Sequence, residues 1–588
     1  MMGPRGAIPL LLLLCAVICL PGIDTHGVTN WQEAQRLIVA RDMQDRGDWM
    51  LPTINGRPYL AKPPLIYWCQ LMIASLRGGK VELVDLRLTV ALAGMLGVLA
   101  SYLSVRRILL DHDSGSRDET ERRAFADRAA FWSAALLATG ILYVRSCRIG
   151  ELDILLVPTV APAIACLYAA CGAARSRPTM WFAAAAFGSL AALAKGPPAL
   201  LAILIAALGG AALHRASRPQ ENDENAGAAS RWPLIAGGVA LPLAAVALHP
   251  TEFAPPSPSA AAGAALFAIY GACLGRLLGR LSARAARAGL WSDVVRMNPL
   301  VSLGVPVLAL LSWSRIASSR IPDGISLASA AEEAEDNLRL LVPDSPVNNI
   351  EAAAFGVGLG SALACLFLVE HLRRRPRMSR PLALLLAWSL LGLITFSLLG
   401  KGVGRYLTPL WPALAGLAGL WAGRWTAPAP GSVRRRTLLA SMVVVLALTQ
   451  GWWYARGREV FQHARTPAAM IAELLAPPWS IDPASIATFG FRTPAVDYYL
   501  GRAAPAYGDT GLRAGIAGQP LLTVEDLRNR LDGSDPGPAS VVLLIRRAAI
   551  DPLRAAMFHV EHMPVRARFT VDSGRSEVTV VRVRTRIE

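Results

Sequence analysis

Apolar residues in this chain come in runs of 15 to 22 with almost no charge inside them. A run of about 18 or more apolar residues is long enough to cross a bilayer as a helix. Repeated through 588 residues, the pattern demands a membrane-embedded body in place of a single water-soluble core. Charged residues make up only 17% of the chain, against roughly 25% in ordinary soluble domains.

The arginines set the orientation. Six lie in 106–128, five in 276–296, five in 373–380, four in 424–436 and three in 214–231. Cytoplasmic loops collect such residues, so these segments face the cytoplasm. The same pattern accounts for the net charge of +17 without nucleic acid as a partner. About thirteen spans then alternate consistently: 8–22, 87–105, 129–145, 154–173, 180–194, 197–213, 232–248, 260–280, 299–315, 352–371, 381–399, 406–422 and 437–455. The first is read as a span and not a cleaved signal, because no small-x-small site follows it. The short apolar stretch 65–76 is expected to lie at the interface. Residues 1–455 form the membrane domain, and 24–86 its first outer loop. Beyond 456 the pattern changes. Strand-like runs (Ile486–Phe491, Ser540–Ile545, Val578–Val583) alternate with helix-like ones (Pro467–Leu475, Val524–Leu531), with Pro and Gly between them. We expect 456–588 to be a small extracytoplasmic α/β domain. The eight cysteines show no CxxC spacing, and none lies beyond 456, so no metal site and no disulfide framework is expected.

Chemistry gathers in the outer loops. The first loop has helical character over 31–46 and carries Trp49, Tyr59, Tyr67 and Trp68, residues suited to a membrane–water interface. The second outer loop, R-S-C-R-I-G-E-L-D-I-L-L, brings Arg148, Glu151 and Asp153 to a helix entrance. A carboxylate there flanks a site or caps a helix. The chain holds only four lysines among 59 basic residues: Lys62, Lys80, Lys195 and Lys401, all on the expected outer face. Where either cation would serve, this sequence uses arginine, so a retained lysine suggests a compact point charge, as phosphate binding needs. In S-L-L-G-K-G-V-G-R-Y-L-T-P-L-W-P, Lys401, Arg405 and Tyr406 follow a span beside glycines. They suit a phosphate head group or serve as snorkelling anchors.

Four pieces occur in order: G-D-W-M-L-P-T-I-N-G-R-P-Y-L-A-K-P-P-L-I-Y-W, L-A-K-G-P-P, the S-L-L-G-K segment and F-R-T-P-A-V-D-Y-Y-L-G-R. Together they resemble the aminoarabinose transferase and protein O-mannosyltransferase group, polyprenyl-phosphate-sugar-dependent glycosyltransferases of the GT-C superfamily. The resemblance implies a GT-C-like polytopic helical fold of about thirteen spans. It also implies sugar transfer from a polyprenyl-phosphate donor to an envelope lipid, glycan or protein acceptor, on the outer face of a multi-pass inner-membrane protein. Two departures stand out. The group's leading Asp-Glu pair reads Gln32-Glu33 here, and Ala61 replaces a glutamate that contributes to a metal site in aminoarabinose transferases, so no metal is carried over.

On this footing Lys62, Lys401 and Arg405 are candidates for stabilising the leaving phosphate, with Tyr406 beside them. Glu33 is the candidate general base for a hydroxyl acceptor, and Asp153 orients donor or acceptor. Arg148 and Lys195 are supporting candidates. A catalytically inactive scaffold and a lipid or sugar transporter remain as alternatives. A transporter would favour paired halves and charges near the bilayer midplane.

Overall fold

A computed structural model of the chain describes residues 4–25, 27–28, 31–111, 118–172, 178–216, 298–321, 353, 355–374, 378–399, 404–457, 466–489, 494–502, 504–507, 522–531, 540–550, 553, 558–566, 569–571 and 576–585. The expected spans 232–248 and 260–280, and Lys401, lie outside the described residues.

The chain is a membrane protein built mainly of helices. Six described helices are long and apolar enough to cross a bilayer. A seventh arises if Glu119–Ala138 and Ile141–Arg148, bent by 61° at a short break, form one span. The order begins with α1 (Pro4–Cys19), α2 (Trp31–Arg46), α3 (Leu65–Arg77), α4 (Leu83–Leu109), α5 (Glu119–Ala138), α6 (Ile141–Arg148), α7 (Val157–Gly172), α8 (Pro178–Lys195) and α9 (Pro197–Ala216). Helices at Val305–Ser318, Leu359–Arg374, Arg380–Leu386, Gly392–Leu399, Trp411–Trp425 and Ser432–Trp452 follow.

Small residues let these helices approach closely. Trp411–Trp425 packs along α5, and a Cβ added at Gly419 or Gly423 would run into Ala129 of that helix. This is the small-xxx-small device of membrane bundles, where no hydrophobic drive separates helix from lipid. At its other end the same helix sets the Trp411 ring edge-on to Tyr143, whose hydroxyl donates to the Gly94 carbonyl at 2.7 Å.

The first loop is ordered by its own sequence. α2 occupies the segment that reads as helical. A hairpin then pairs Thr53–Ile54 with Arg57–Pro58, turning on Asn55 and Gly56 with φ of 52° and 78°. Asn-Gly favours this turn because both positions need positive φ. Asp42 of α2 accepts from the Thr53 hydroxyl at 3.1 Å and the Gly56 amide at 2.9 Å, pinning the hairpin to the helix.

The described residues beyond 466 form a six-stranded mixed sheet. Its order is Ala506–Tyr507, Ile486–Phe489, Val541–Arg546, Ser576–Thr585, Phe558–His562, with Phe569–Val571 also paired to Ser576–Thr585. The helix Pro494–Leu500 couples this sheet to the first loop. Tyr498 lies under the Arg41 guanidinium at 4.2 Å and accepts its hydrogen bond at 3.2 Å. Asp497 accepts from Asn55 at 3.1 Å, and Tyr499 accepts from the Val28 amide at 2.7 Å. The F-R-T-P-A-V-D-Y-Y-L-G-R segment thus contains the side chains that dock the sheet on α2.

Candidate functional site

The site forms where α2, the second outer loop and two helix breaks converge. The first break is the L-A-K-G-P-P segment. α8 ends on Lys195, Gly196 takes φ +73°, and Pro197 opens α9. Glycine tolerates that left-handed turn, and proline suits a helix's first position. The second break is the 3-10 turn Gly404–Leu410, which contains Pro409 and precedes Pro412. Proline removes the amide that an α-helix would need there. The Trp388 indole donates to the Pro409 carbonyl at 2.8 Å and fixes the turn. The 3-10 turn Leu152–Leu156 packs against it and carries Asp153.

These breaks bring Asp153, Lys195, Arg405 and Tyr406 together. Asp153 and Lys195 form a close ion pair, with side chains 3% and 9% exposed. Arg405 reaches the other Asp153 oxygen at 4.0 Å. The Lys195 ammonium sits 4.0 Å from the centre of the Tyr406 ring, and the Arg405 guanidinium 5.8 Å from it. Lys62, half-buried, lies near enough for its charge to oppose that of Lys195. A fourth cation, Arg36 of α2, is buried within the field of Tyr67, Asp153, Arg405 and Tyr59. Burial lowers its pKa, and Tyr67 and Asp153 oppose that shift. Several cations thus gather around one carboxylate in a buried setting, which suits a phosphate-bearing ligand.

Glu33 sits differently from the expectation for a general base. Its side chain is fully buried, with Oε1 3.0 Å and Oε2 3.4 Å from Arg87 of α4. Oε1 also accepts from the Gly150 amide at 3.2 Å. Arg87 in turn donates to the Ile23 and Gly27 carbonyls at 3.0 and 2.8 Å. A carboxylate so engaged is placed to hold α2 against α4. One turn on, Arg36 donates to the Gly150 carbonyl at 2.8 Å. Both sides of one residue of the second loop are therefore bonded to a single face of α2.

Gly150 has no room to change. An added Cβ would lie 2.5 Å from Leu86 Cδ2 and 2.9 Å from Glu33 Cγ. Gly150→Ala is therefore expected to cost roughly 1–3 kcal/mol by overpacking. Thermal unfolding of the purified protein checks this, and an unchanged midpoint would contradict the packing described.

Arg148 lies with other partners. It donates to the Cys19 carbonyl at 2.7 Å, and its guanidinium is 5.5 Å from the Tyr454 ring centre, so it ties α6 to α1 and to the end of Ser432–Trp452. Lys80 forms an exposed pair with Asp45 at 3.5 Å. Among the described residues no group of three or more His, Cys, Asp or Glu side chains is arranged to hold a metal. Sequence reasoning passed over Arg36, Arg87 and the orientation of Gln32. Arg36 had one legible signal: it falls one turn from Gln32-Glu33 on a helix of polar character.

Residues 119–247 match the family model for dolichyl-phosphate-mannose-protein mannosyltransferase. The fold matches the crystal structure of ArnT from Cupriavidus metallidurans bound to undecaprenyl phosphate, with TM-score 0.62, 16% identity and 98% of each chain covered. The apo structure of the same protein matches with TM-score 0.61, 15% identity and the same coverage. An oligosaccharyltransferase, AglB from Archaeoglobus fulgidus, aligns over 85% of this chain and 64% of its own, at 14% identity and TM-score 0.46. No curated protein matches by sequence. The chain thus has a membrane glycosyltransferase-like fold, and its resemblance to the aminoarabinose transferase and protein mannosyltransferase group is present both in a sequence segment and in the fold.

Proposed function

We propose that this chain transfers a sugar from a polyprenyl-phosphate donor to an acceptor at the outer face of the inner membrane. The observation that carries the reading is the pairing of Lys195 and Arg405 with Asp153, over the Tyr406 ring and beside Lys62. As the bond between the sugar's anomeric carbon and the phosphate oxygen breaks, the leaving polyprenyl phosphate gains negative charge. Cations already fixed beside it stabilise that charge without reorganising. Asp153 holds Lys195 and Arg405 in place and lowers the cost of keeping two cations together. Lys401 is assigned with them to the donor phosphate on sequence grounds. ArnT, which shares the fold, binds undecaprenyl phosphate, in keeping with this donor class.

Glu33 is assigned a positioning role. Through Arg87 and Gly150 it sets α2 and the second loop at the spacing that the cation cluster needs. Arg148 supports the same loop from α1. For a hydroxyl acceptor, Asp153 is the carboxylate nearest the cations; an anionic acceptor needs positioning alone. The acceptor is an envelope lipid such as lipid A, another glycan or a protein. Residues 1–455 are the multi-pass body, and 456–588 an extracytoplasmic α/β domain docked on the first loop.

The test is transfer of radiolabelled sugar from a panel of polyprenyl-phosphate sugars to crude envelope acceptors by the purified protein. Label moving with wild type and not with Asp153→Asn supports the reading. No label moving from any donor would favour the scaffold or transporter alternatives.

A further inference from the structure

Gln32 and Arg36 stand one turn apart on α2, each only 6% exposed. Among the described residues, the Gln32 amide oxygen has no hydrogen-bond partner, and neither has the Arg36 Nε–H. Buried polar groups without partners are costly, and folded proteins keep few of them. Here an orphaned acceptor and an orphaned donor share one face of one helix. That face belongs to the cation cluster, because Arg36 lies in the field of Tyr67, Tyr59, Asp153 and Arg405. A group that both donates and accepts would satisfy the two atoms together, and a sugar hydroxyl is such a group.

The surrounding charge narrows the ligand further. Arg36, Lys195, Arg405 and Lys62 converge on this region, and the Asp153 carboxylate is engaged by Lys195 and Arg405. An ammonium group on the ligand would meet these cations at low effective dielectric, with a neutral amide at Gln32 offering it no compensating charge. We propose that Gln32 and Arg36 form the subsite that reads the donor's sugar, and that it accepts a sugar bearing hydroxyls and no ammonium group. The inference rests on the polyprenyl-phosphate donor reading given above. It adds a specificity-determining residue, Gln32, and a substrate class.

The experiment is equilibrium binding to the full-length protein in nanodiscs. Three probes are compared: bare polyprenyl phosphate, the same lipid carrying a neutral hexose, and the same lipid carrying that hexose with one hydroxyl replaced by an amine. Wild type is expected to bind the hexosyl lipid at least tenfold more tightly than either of the others. Gln32→Leu should bring the hexosyl lipid to the level of the bare lipid. Gln32→Glu, which keeps the shape and adds a charge, should raise relative affinity for the amino sugar at least tenfold. Amino-sugar binding as tight as hexosyl binding in wild type would overturn the inference, and that comparison depends on no variant folding. Bare lipid bound equally to both sugar-bearing lipids would overturn the subsite while leaving the donor reading intact. Failure of every polyprenyl phosphate to bind would overturn both.

Discussion

Lys195→Met is expected to lower the rate of sugar transfer by roughly 10²–10³-fold, the usual cost of removing one preorganised charge-stabilising group. Lys195 ends α8 because Gly196 and Pro197 break the helix there, and the break aims its ammonium at Asp153 and the Tyr406 ring. Methionine keeps most of the length and apolar stem, so the loss reports the charge. It should appear mainly in kcat, because negative charge on the phosphate oxygen grows as the sugar leaves. Arg cannot replace this residue without loss, since a planar fork differs from a compact ammonium in a site shaped around Asp153. Steady-state kinetics of Lys195→Met and Lys195→Arg check the point. A kcat within twofold of wild type for both would remove Lys195 from the phosphate site.

Breaking the Glu33–Arg87 pair from one side is the second large effect expected. Both side chains are at most 4% exposed, so Glu33→Gln leaves a buried guanidinium without its countercharge. Such a loss typically costs about 3–5 kcal/mol, and Arg87→Met should cost a similar amount. Removing both charges together, as Glu33→Gln with Arg87→Met, should recover much of that loss, because neither ion is then stranded. Unfolding midpoints of the four proteins give the coupling directly. Additive losses, with no recovery in the double variant, would contradict a paired role. Activity separates this role from that of an acceptor base. Transfer by Glu33→Gln should fall in step with the folded fraction. A well-folded Glu33→Gln protein with no transfer would return Glu33 to the chemistry.

The membrane character of the chain, the helix at 31–46 and three of the six described strands of the sheet were legible in the sequence, because each rests on local periodicity. Val524–Leu531 and the strands at Ile486–Phe489 and Val541–Arg546 lie within a few residues of the runs that announced them. The break after Lys195 was legible as the gap between the expected spans 180–194 and 197–213, whereas the turn at Gly404–Leu410 was not, because 406–410 reads as the start of an apolar span. Lysine scarcity pointed to Lys195, which is in the cluster, to Lys62, whose charge reaches it, and equally to Lys80, which is an exposed surface partner of Asp45. Rarity does not encode location.

Partnership was not legible. Glu33 reads as a carboxylate at a loop entrance, whereas its environment is set by Arg87, 54 positions away. Arg148 reads as part of the second loop's charge group, but its partners are a carbonyl of α1 and the ring of Tyr454, more than 300 positions further on. Asp497 and Tyr498 read as the start of a soluble region, yet they are the contacts that hold it to the first loop. In each case the deciding neighbour comes from a distant segment brought close by helix packing, which no local spacing encodes.

The most direct measurement is a cryo-EM map of the protein with bound polyprenyl phosphate. The phosphate is expected within hydrogen-bond distance of Lys195 and Arg405, over the Tyr406 ring and next to Asp153. A phosphate bound elsewhere, with the Lys195–Asp153–Arg405 cluster closed and untouched, would contradict this placement.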